Sequence, residues 1–273
     1  MDKQKKVVWT ILGITVSLMH IIPFYILMTT SFKNSSDFSS KWLFPDYLDF
    51  SNFSNAWTQA QMGTALFNNV VITVISVTAL IVLGSLAAYP LARVASRLNK
   101  VMYISFVAVM IVPPLTILVP LYKFIVDIGG LNTIWAVVLV HVSFWLPLTI
   151  FLYTGFIRST IPKELDEAAM IDGASRLQIF FRVVFPLLKP VTASVIIITG
   201  MFVWNDYQFS VFFLQDKDAH TITVALSQFF SQYSNDVGLV AAGSLLGMLP
   251  MVIVFLFLQK YFIAGLSSGS VKG

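Results

Sequence analysis

Six apolar runs, each about as long as a bilayer is thick, alternate with polar segments of varied length along the chain. A hydrocarbon core of about 30 Å takes roughly 20 helical residues. Runs near 7–31, 66–92, 101–126, 132–156, 190–214 and 238–262 meet that length. The pattern predicts an all-α integral membrane protein with six transmembrane helices. No fixed-period repeat or low-complexity linker divides it, so residues 1–273 are read as a single domain. Pro113, Pro114 and Pro120 interrupt the third run and predict a kink or break there. Pro23 and Pro147 raise the same question in the first and fourth runs.

The polar segments differ in character. Residues 32–65 mix Ser, Asn and Asp with Trp42, Phe44, Tyr47, Phe50, Phe53 and Trp57, which suits an interfacial or small packed element better than disorder. Residues 215–237 read as a second polar loop. The segment 157–189 is the most charged. Within it Pro162 suits a first helical turn, and Glu164, Asp166 and Glu167 put negative charge near the positive end of that helix. Met170, Ala174, Leu177 and Phe181 would form one apolar stripe on a straight helix, whereas a turn at Asp172-Gly173 would give two short helices at an angle. Either arrangement offers an apolar surface to a partner.

Composition agrees with a membrane chain: 57% of the 273 residues are hydrophobic, 11% are charged, and the mean hydropathy is +0.83. The formal charge of +4 matters less than its distribution. Thirteen Lys and Arg fall on the side shared by the termini and the 157–189 segment, against Lys33, Lys41, Lys123 and Lys217 on the other. That asymmetry predicts a multi-pass protein of the cell membrane with both termini in the cytoplasm. The basic N-terminus and the apolar run behind it read as a retained anchor, since the run is too long for a signal peptide and lacks a small-residue cleavage site. There is no cysteine, which excludes disulfides and thiolate metal sites. Nucleic acid is not an expected partner.

The residues that could carry chemistry are sparse. There is no phosphate-binding G-x-x-x-x-G-K-[ST] loop and no H-E-x-x-H, and His20, His141 and His220 are scattered. No metal site or catalytic constellation is expected. Asp206 is the one carboxylate inside a predicted span and Asp127 lies at the end of another, which disfavours a proton-driven carrier.

Glu167-Ala168-Ala169, Gly173 six residues after the glutamate, and Pro186 resemble the E-A-A-x-x-x-G-x(9)-I-x-L-P signature of permease subunits of bacterial ABC importers. Val183 stands for the isoleucine and Phe185 for the leucine, exchanges that keep an apolar face. Asp172-Gly173-Ala174, Pro186 and Pro190 resemble the carbohydrate-uptake branch. Trp204-Asn205-Asp206 and the tail G-L-S-S-G-S-V-K-G from Gly265 resemble the second permease of maltose-type importers.

The resemblance implies a type I importer permease fold with cytoplasmic coupling helices in 157–189 and a tail at 263–273. It implies coupling to ATPase subunits through Glu167, Ala168, Ala169, Asp172 and Gly173, and tail contact with them at Gly269, Val271, Lys272 and Gly273. The implied partners are a second, non-identical permease, two ATPase subunits that hold the ATP and Mg, and an extracytoplasmic sugar-binding protein. This chain itself binds no cofactor under that reading and is not an enzyme. The implied cargo is a di- or oligosaccharide, with glycerol phosphate as the alternative and an ion-coupled carrier as the reading from another class. Trp204, Asn205, Asp206, Tyr207 and Gln208 combine aromatic faces with amide and carboxylate groups suited to sugar, and equally suit an interfacial aromatic belt with a polar helix end. Asn68 and Asn69 more readily tie helices together than bind cargo.

Overall fold

In the computed structural model, which describes residues 3–34, 36–233 and 236–270, every regular element is helical. The helices are α1 (Lys3–Ser31), α2 (Ser51–Gln59), α3 (Met62–Arg93), α4 (Arg97–Val109), α5 (Leu118–Asp127), α6 (Ile134–Thr160), α7 (Glu164–Ile171), α8 (Arg176–Ile179), α9 (Phe185–Leu187), α10 (Lys189–Trp204), α11 (Ser210–Phe213), α12 (Ile222–Gln232) and α13 (Val237–Ser270). Lys5–Ser31, Met62–Arg93, Ile134–Thr160 and Val237–Phe257 are each long and apolar enough to cross a bilayer. Pro23, Pro90, Pro147 and Pro250 lie inside these helices without ending them. Several hydroxyls on the apolar helices bond back to their own backbone, as Thr149 does to the Trp145 carbonyl (2.8 Å) and Thr199 to the Val195 carbonyl (2.7 Å).

The other two spans are bent. The third breaks after Val109, passes Pro113 in an extended conformation and a 3-10 turn at Pro114–Ile117, and resumes as α5 at an angle of 92°. Pro120 falls in the first turn of α5, where its missing N–H has no intrahelical bond to make. Arg176–Leu187 meets Lys189–Trp204 at 73°. Between α8 and α9, Phe180–Val184 winds as a π-helical stretch. Counting each bent pair once gives six spans.

Three sequence-based boundaries change. The fifth helix stops at Trp204 rather than 214, because residues 205–209 form a polar corner. The segment 215–237 contains the eleven-residue helix α12, whose Ile222, Val224, Ala225 and Phe229 are buried although its Ser and Gln residues suggested a loop. The last helix continues to Ser270 rather than ending at 262.

The chain forms two compact units. In the unit made of 1–66 and 222–249, Ala56, Phe229 and Leu239 centre a small core with Tyr233, Val240 and Leu246 around it. In the unit made of 67–221 and 250–273, one cluster gathers Ile72, Ile125, Val140, Val203 and Phe213, and another gathers Tyr153, Ile157, Ile179, Val184, Leu188 and Val195. Helices α3 and α6 cross so closely that a Cβ at Gly84 would collide with the Thr149 side chain. Small residues serve membrane helices in this way, since lipid tails leave tight packing as the main source of association.

Candidate functional site

The charged segment between α6 and α10 is shaped by a series of local signals. Ile161 is extended, as a residue before proline tends to be, and so ends α6. Pro162 and Lys163 lead into α7, which carries Glu164, Asp166 and Glu167 in its first turn, where the helix dipole favours negative charge. At its other end Gly173 takes φ +81°, its amide donates to the Met170 carbonyl (3.0 Å), and the Ala174 amide donates to the Ala169 carbonyl (3.0 Å). This paired capping requires the left-handed conformation that glycine adopts freely. A capping box follows at once: the Gln178 amide donates to Ser175 Oγ (3.4 Å) and the Ser175 amide to Gln178 Oε1 (2.8 Å). The chain therefore takes the two-helix alternative, with both sides of the turn hydrogen-bonded.

An ion pair in the same unit fastens this helix pair to the end of α3. Asp166 is 4% exposed. Arg93 donates to both of its oxygens, from Nη2 to Oδ1 at 3.0 Å and from Nε to Oδ2 at 3.2 Å, and the Tyr89 hydroxyl donates to Oδ2 at 2.7 Å. The remaining guanidinium hydrogens reach the carbonyls of Ile161 (3.0 Å) and Pro162 (3.2 Å). A forked guanidinium can serve a carboxylate and two carbonyls together, which an ammonium at that position could not match in geometry. Nearby, Arg158 donates to the Leu91 carbonyl (2.8 Å) and lies 4.9 Å from the centre of the Tyr103 ring. The sequence reading used Arg93 and Arg158 only to assign topology, and Asp166 only for its charge. Nothing local in the sequence signals a contact between positions 73 residues apart.

With Asp166 turned inward, the opposite surface of the helix pair is free. Glu167, Ala168, Asp172 and Gly173 are exposed and Ala169 is half-buried. Ile171 (87% exposed) and Phe181 (55%) are exposed as well, whereas Met170 (51%) and Leu177 (66%) border a cavity of ≈ 340 Å³ on the side of Asp166 and Arg93. Large exposed apolar side chains grouped on one surface mark a place where a protein partner or lipid packs.

The residues proposed for a cargo path are arranged differently. Trp204 is buried and its carbonyl accepts from Asn69 Nδ2 (3.2 Å), while the Asn205 amide group folds back onto the Met201 carbonyl (2.8 Å). The Asp206 carboxylate accepts from the amides of Phe209 (3.1 Å) and Ser210 (2.9 Å) and from Ser210 Oγ (2.8 Å), capping α11, and lies 3.7 Å from His141 Nε2. Tyr207 is exposed and Gln208 half-buried. These five residues build the corner after α10.

Among the described residues, two other apolar cavities lie in this unit. One of ≈ 310 Å³ is lined by Val70, Val77, Gly200 and Pro250, and by Trp204 alone of the five. The other, of ≈ 440 Å³, lies beside the break in the third span and is lined by Met110, Pro114, Phe144, Trp145 and Phe209. Trp145 also stacks on Phe202 with ring centres 4.2 Å apart. Asn68 donates to the carbonyls of Asp218 (2.8 Å) and His220 (3.1 Å), and Asn132, at φ 59°, accepts from the amides of Gln215 (2.6 Å) and Asp216 (3.1 Å). The sequence reading did not single out Asn132. Its place after Gly129-Gly130 was the available turn signal. Gly269 lies in α13, and Val271, Lys272 and Gly273 lie outside the described residues.

Comparison with known proteins bears on the whole chain. The family model for the binding-protein-dependent transport system inner membrane component matches residues 52–268. The melibiose/raffinose/stachyose import permease protein MelC of Bacillus subtilis is 56% identical over 264 residues, covering 97% of this chain and 96% of its own. The multiple sugar-binding transport system permease protein MsmG of Streptococcus mutans is 33% identical, with both chains covered to 100%. One chain in the crystal structure of a bacterial ABC transporter that imports the acidic polysaccharide alginate superposes with a TM-score of 0.80 at 20% identity, over 96% of this chain and 99% of that one.

Proposed function

Because this chain belongs to the family of binding-protein-dependent transport system inner membrane components, the permease subunits of ABC importers, we propose that it moves a di- or oligosaccharide across the membrane by alternating access. The chain is a membrane-embedded subunit and not an enzyme. Under the proposal it pairs with a second, non-identical permease, two ATPase subunits supply ATP hydrolysis, and an extracytoplasmic binding protein delivers the sugar. Both termini and the α7–α8 pair face the cytoplasm, in keeping with the Lys and Arg asymmetry.

The observation that carries the reading is the construction of the α7–α8 pair. Its exposed surface presents Glu167, Ala168, Asp172 and Gly173 beside Ile171, while its inner side is bound to α3 through Asp166 and Arg93. A push from an ATPase on such an element would reach the transmembrane helix through a buried, hydrogen-bonded ion pair rather than dissipate in a loose loop. In this reading Glu167 is the outward carboxylate that meets the ATPase, and Gly269, Val271, Lys272 and Gly273 extend the same contact. The substrate class rests on relatives named for melibiose, raffinose, stachyose and multiple sugars. Trp204 to Gln208 act on the cargo path mainly by fixing its outer corner.

The test is reconstitution in proteoliposomes with the partner permease, both ATPases and the binding protein. ATP-dependent uptake of labelled raffinose, abolished by Glu167→Lys while the complex still assembles, is the expected result. Uptake driven by an ion gradient with this chain alone would overturn the importer reading, and ATP-driven uptake of glycerol phosphate but of no sugar would overturn the substrate.

A further inference from the structure

The segment joining α1 to α2 is ordered in an unusual way. At Ser31 the chain reverses and folds back along the helix it has just left: the Thr29 hydroxyl donates to the Lys41 carbonyl (2.7 Å) and the Tyr25 hydroxyl to the Trp42 carbonyl (2.9 Å). Tyr25 precedes Ser31 by six residues, which at 1.5 Å per residue is about 9 Å back along the axis. The apolar stretch of α1 runs from Val7 to Met28, a length that fills a hydrocarbon core of about 30 Å. The Trp42 backbone is therefore held beside the last apolar turns of a membrane-crossing helix rather than out in water.

The side chains of this segment agree with that depth. Phe38 is 92% exposed, Leu43 and Phe50 are each 61% exposed, and Trp42, Phe44 and Leu48 are exposed as well. They are displayed by a fixed scaffold: the Phe32 ring packs against Phe44, Phe50 and Phe53 at centroid distances of 6.2, 5.4 and 5.2 Å, and Asn52 Nδ2 donates to the carbonyls of Ser31 (3.0 Å) and Lys33 (2.6 Å). Several polar groups that would resist a low-dielectric setting are satisfied internally, while the charged Lys41 and Asp46 side chains are exposed. The Lys33 ammonium is 4% exposed and donates to Ser39 Oγ (2.6 Å) and the Ser40 carbonyl (2.8 Å). Side-chain oxygens of Asn34, Asp37 and Asp49 accept from the amides of Ser36, Ser39 and Ser51 at 3.0, 2.9 and 2.7 Å. Irregular backbone near a bilayer requires this kind of internal pairing.

We propose that residues 38–50 form a lipid-anchoring pad that lies in the interfacial zone of one leaflet, with Trp42, Leu43 and Phe44 against the acyl-chain boundary. Its apolar surface continues that of α1, whose membrane-crossing window has no buried residue. The pad fixes the depth of α1 and gives the tilting of the helices a stationary edge at the membrane surface. The proposal needs only that α1 crosses the bilayer, whatever the cargo or the energy source.

The chain has no cysteine, so single cysteines can be placed and spin-labelled without background. The complete transporter, carrying Leu43→Cys or Asp46→Cys in separate preparations, is placed in nanodiscs of phosphatidylethanolamine and phosphatidylglycerol. Collisions of the label with oxygen and with a water-soluble nickel chelate are then compared by power saturation. The expected result is a Leu43→Cys label several-fold more accessible to oxygen than to the chelate, and an Asp46→Cys label with the reverse preference. Equal chelate accessibility at both positions would overturn the proposal. So would a Leu43→Cys label that is open to the chelate until the extracytoplasmic binding protein is added, since that result assigns the surface to a protein partner.

Discussion

At the scale of single residues, the ion pair between Arg93 and Asp166 carries more of the fold's order than its charge count suggests. Both side chains are almost wholly buried, at 8% and 6% exposed. Removing one partner of such a pair strands the other, at a cost of about 3–5 kcal/mol. Asp166→Leu is therefore expected to lower the unfolding temperature of the purified complex sharply. Tyr89→Phe, which loses one bond to a charged oxygen, costs about 1.5–3 kcal/mol. Replacing both Arg93 and Asp166 by Leu costs less than the sum of the single changes, and equal additivity in calorimetry would show that the two do not act together. A smaller residue-level device sits in the segment after α1. Hydrogen bonds from the Ser39 hydroxyl and amide and from the Tyr47 hydroxyl bring Asp37 down to about 2 from its ordinary 3.8. The folded value lies below the unfolded one, so this contribution is fully present above about pH 4 and is lost as the pH falls toward 2. A nitroxide at Ser36→Cys should keep constant mobility down to that window and loosen within it, whereas adding Asp37→Asn should remove the step.

At the scale of elements, the turn between α7 and α8 is limited by conformation and not by space. No atom lies within 4 Å of a Cβ built on Gly173, yet its φ of +81° disfavours any side chain by roughly 1–2 kcal/mol. Asn tolerates that region better than Ala, and Ala better than a β-branched residue. Transport per ATP hydrolysed is expected to fall in the order Gly173, Asn, Ala, Val while insertion and assembly stay constant. A flat series would show that the turn does not set coupling. The opposite case is Gly84, where a side chain is excluded by the close approach of Thr149. The two glycines look alike in the sequence and differ in the kind of constraint each relieves.

At the scale of the whole molecule, the long spans were legible because the bilayer imposes length and apolarity on each one independently. Pro113 and Pro114 announced the break in the third span because a missing donor acts locally. The helix Ile222–Gln232 was not legible. It buries one face within a small unit and leaves Ser and Gln on the other, so average polarity resembled a loop. The E-A-A segment was readable from its spacing, but its attachment to α3 was not, since an ion pair across the fold leaves no period in the sequence. The five residues from Trp204 to Gln208 were read by chemical type. The Asp206 carboxylate also accepts from the amides of Phe209 and Ser210, a use that depends on the direction of the chain after the helix ends.

The π-helical stretch at Phe180–Val184 has a consequence for how this region can change over evolutionary time. A π turn holds one residue more than the α turn it replaces, and each residue of an α-helix advances the face by about 100°. Phe180 is 2% exposed and packs 5.6 Å from the Tyr89 ring, whereas the adjacent Phe181 is 55% exposed. Deleting one residue within the stretch would restore an α turn and leave the residues on either side of it in phase with their neighbours. Descendants of this sequence can thus lose one residue at that point while Ile179 before it and Leu188 after it keep their buried positions, which makes the phase of the flanks, more than the length of the helix, the heritable quantity.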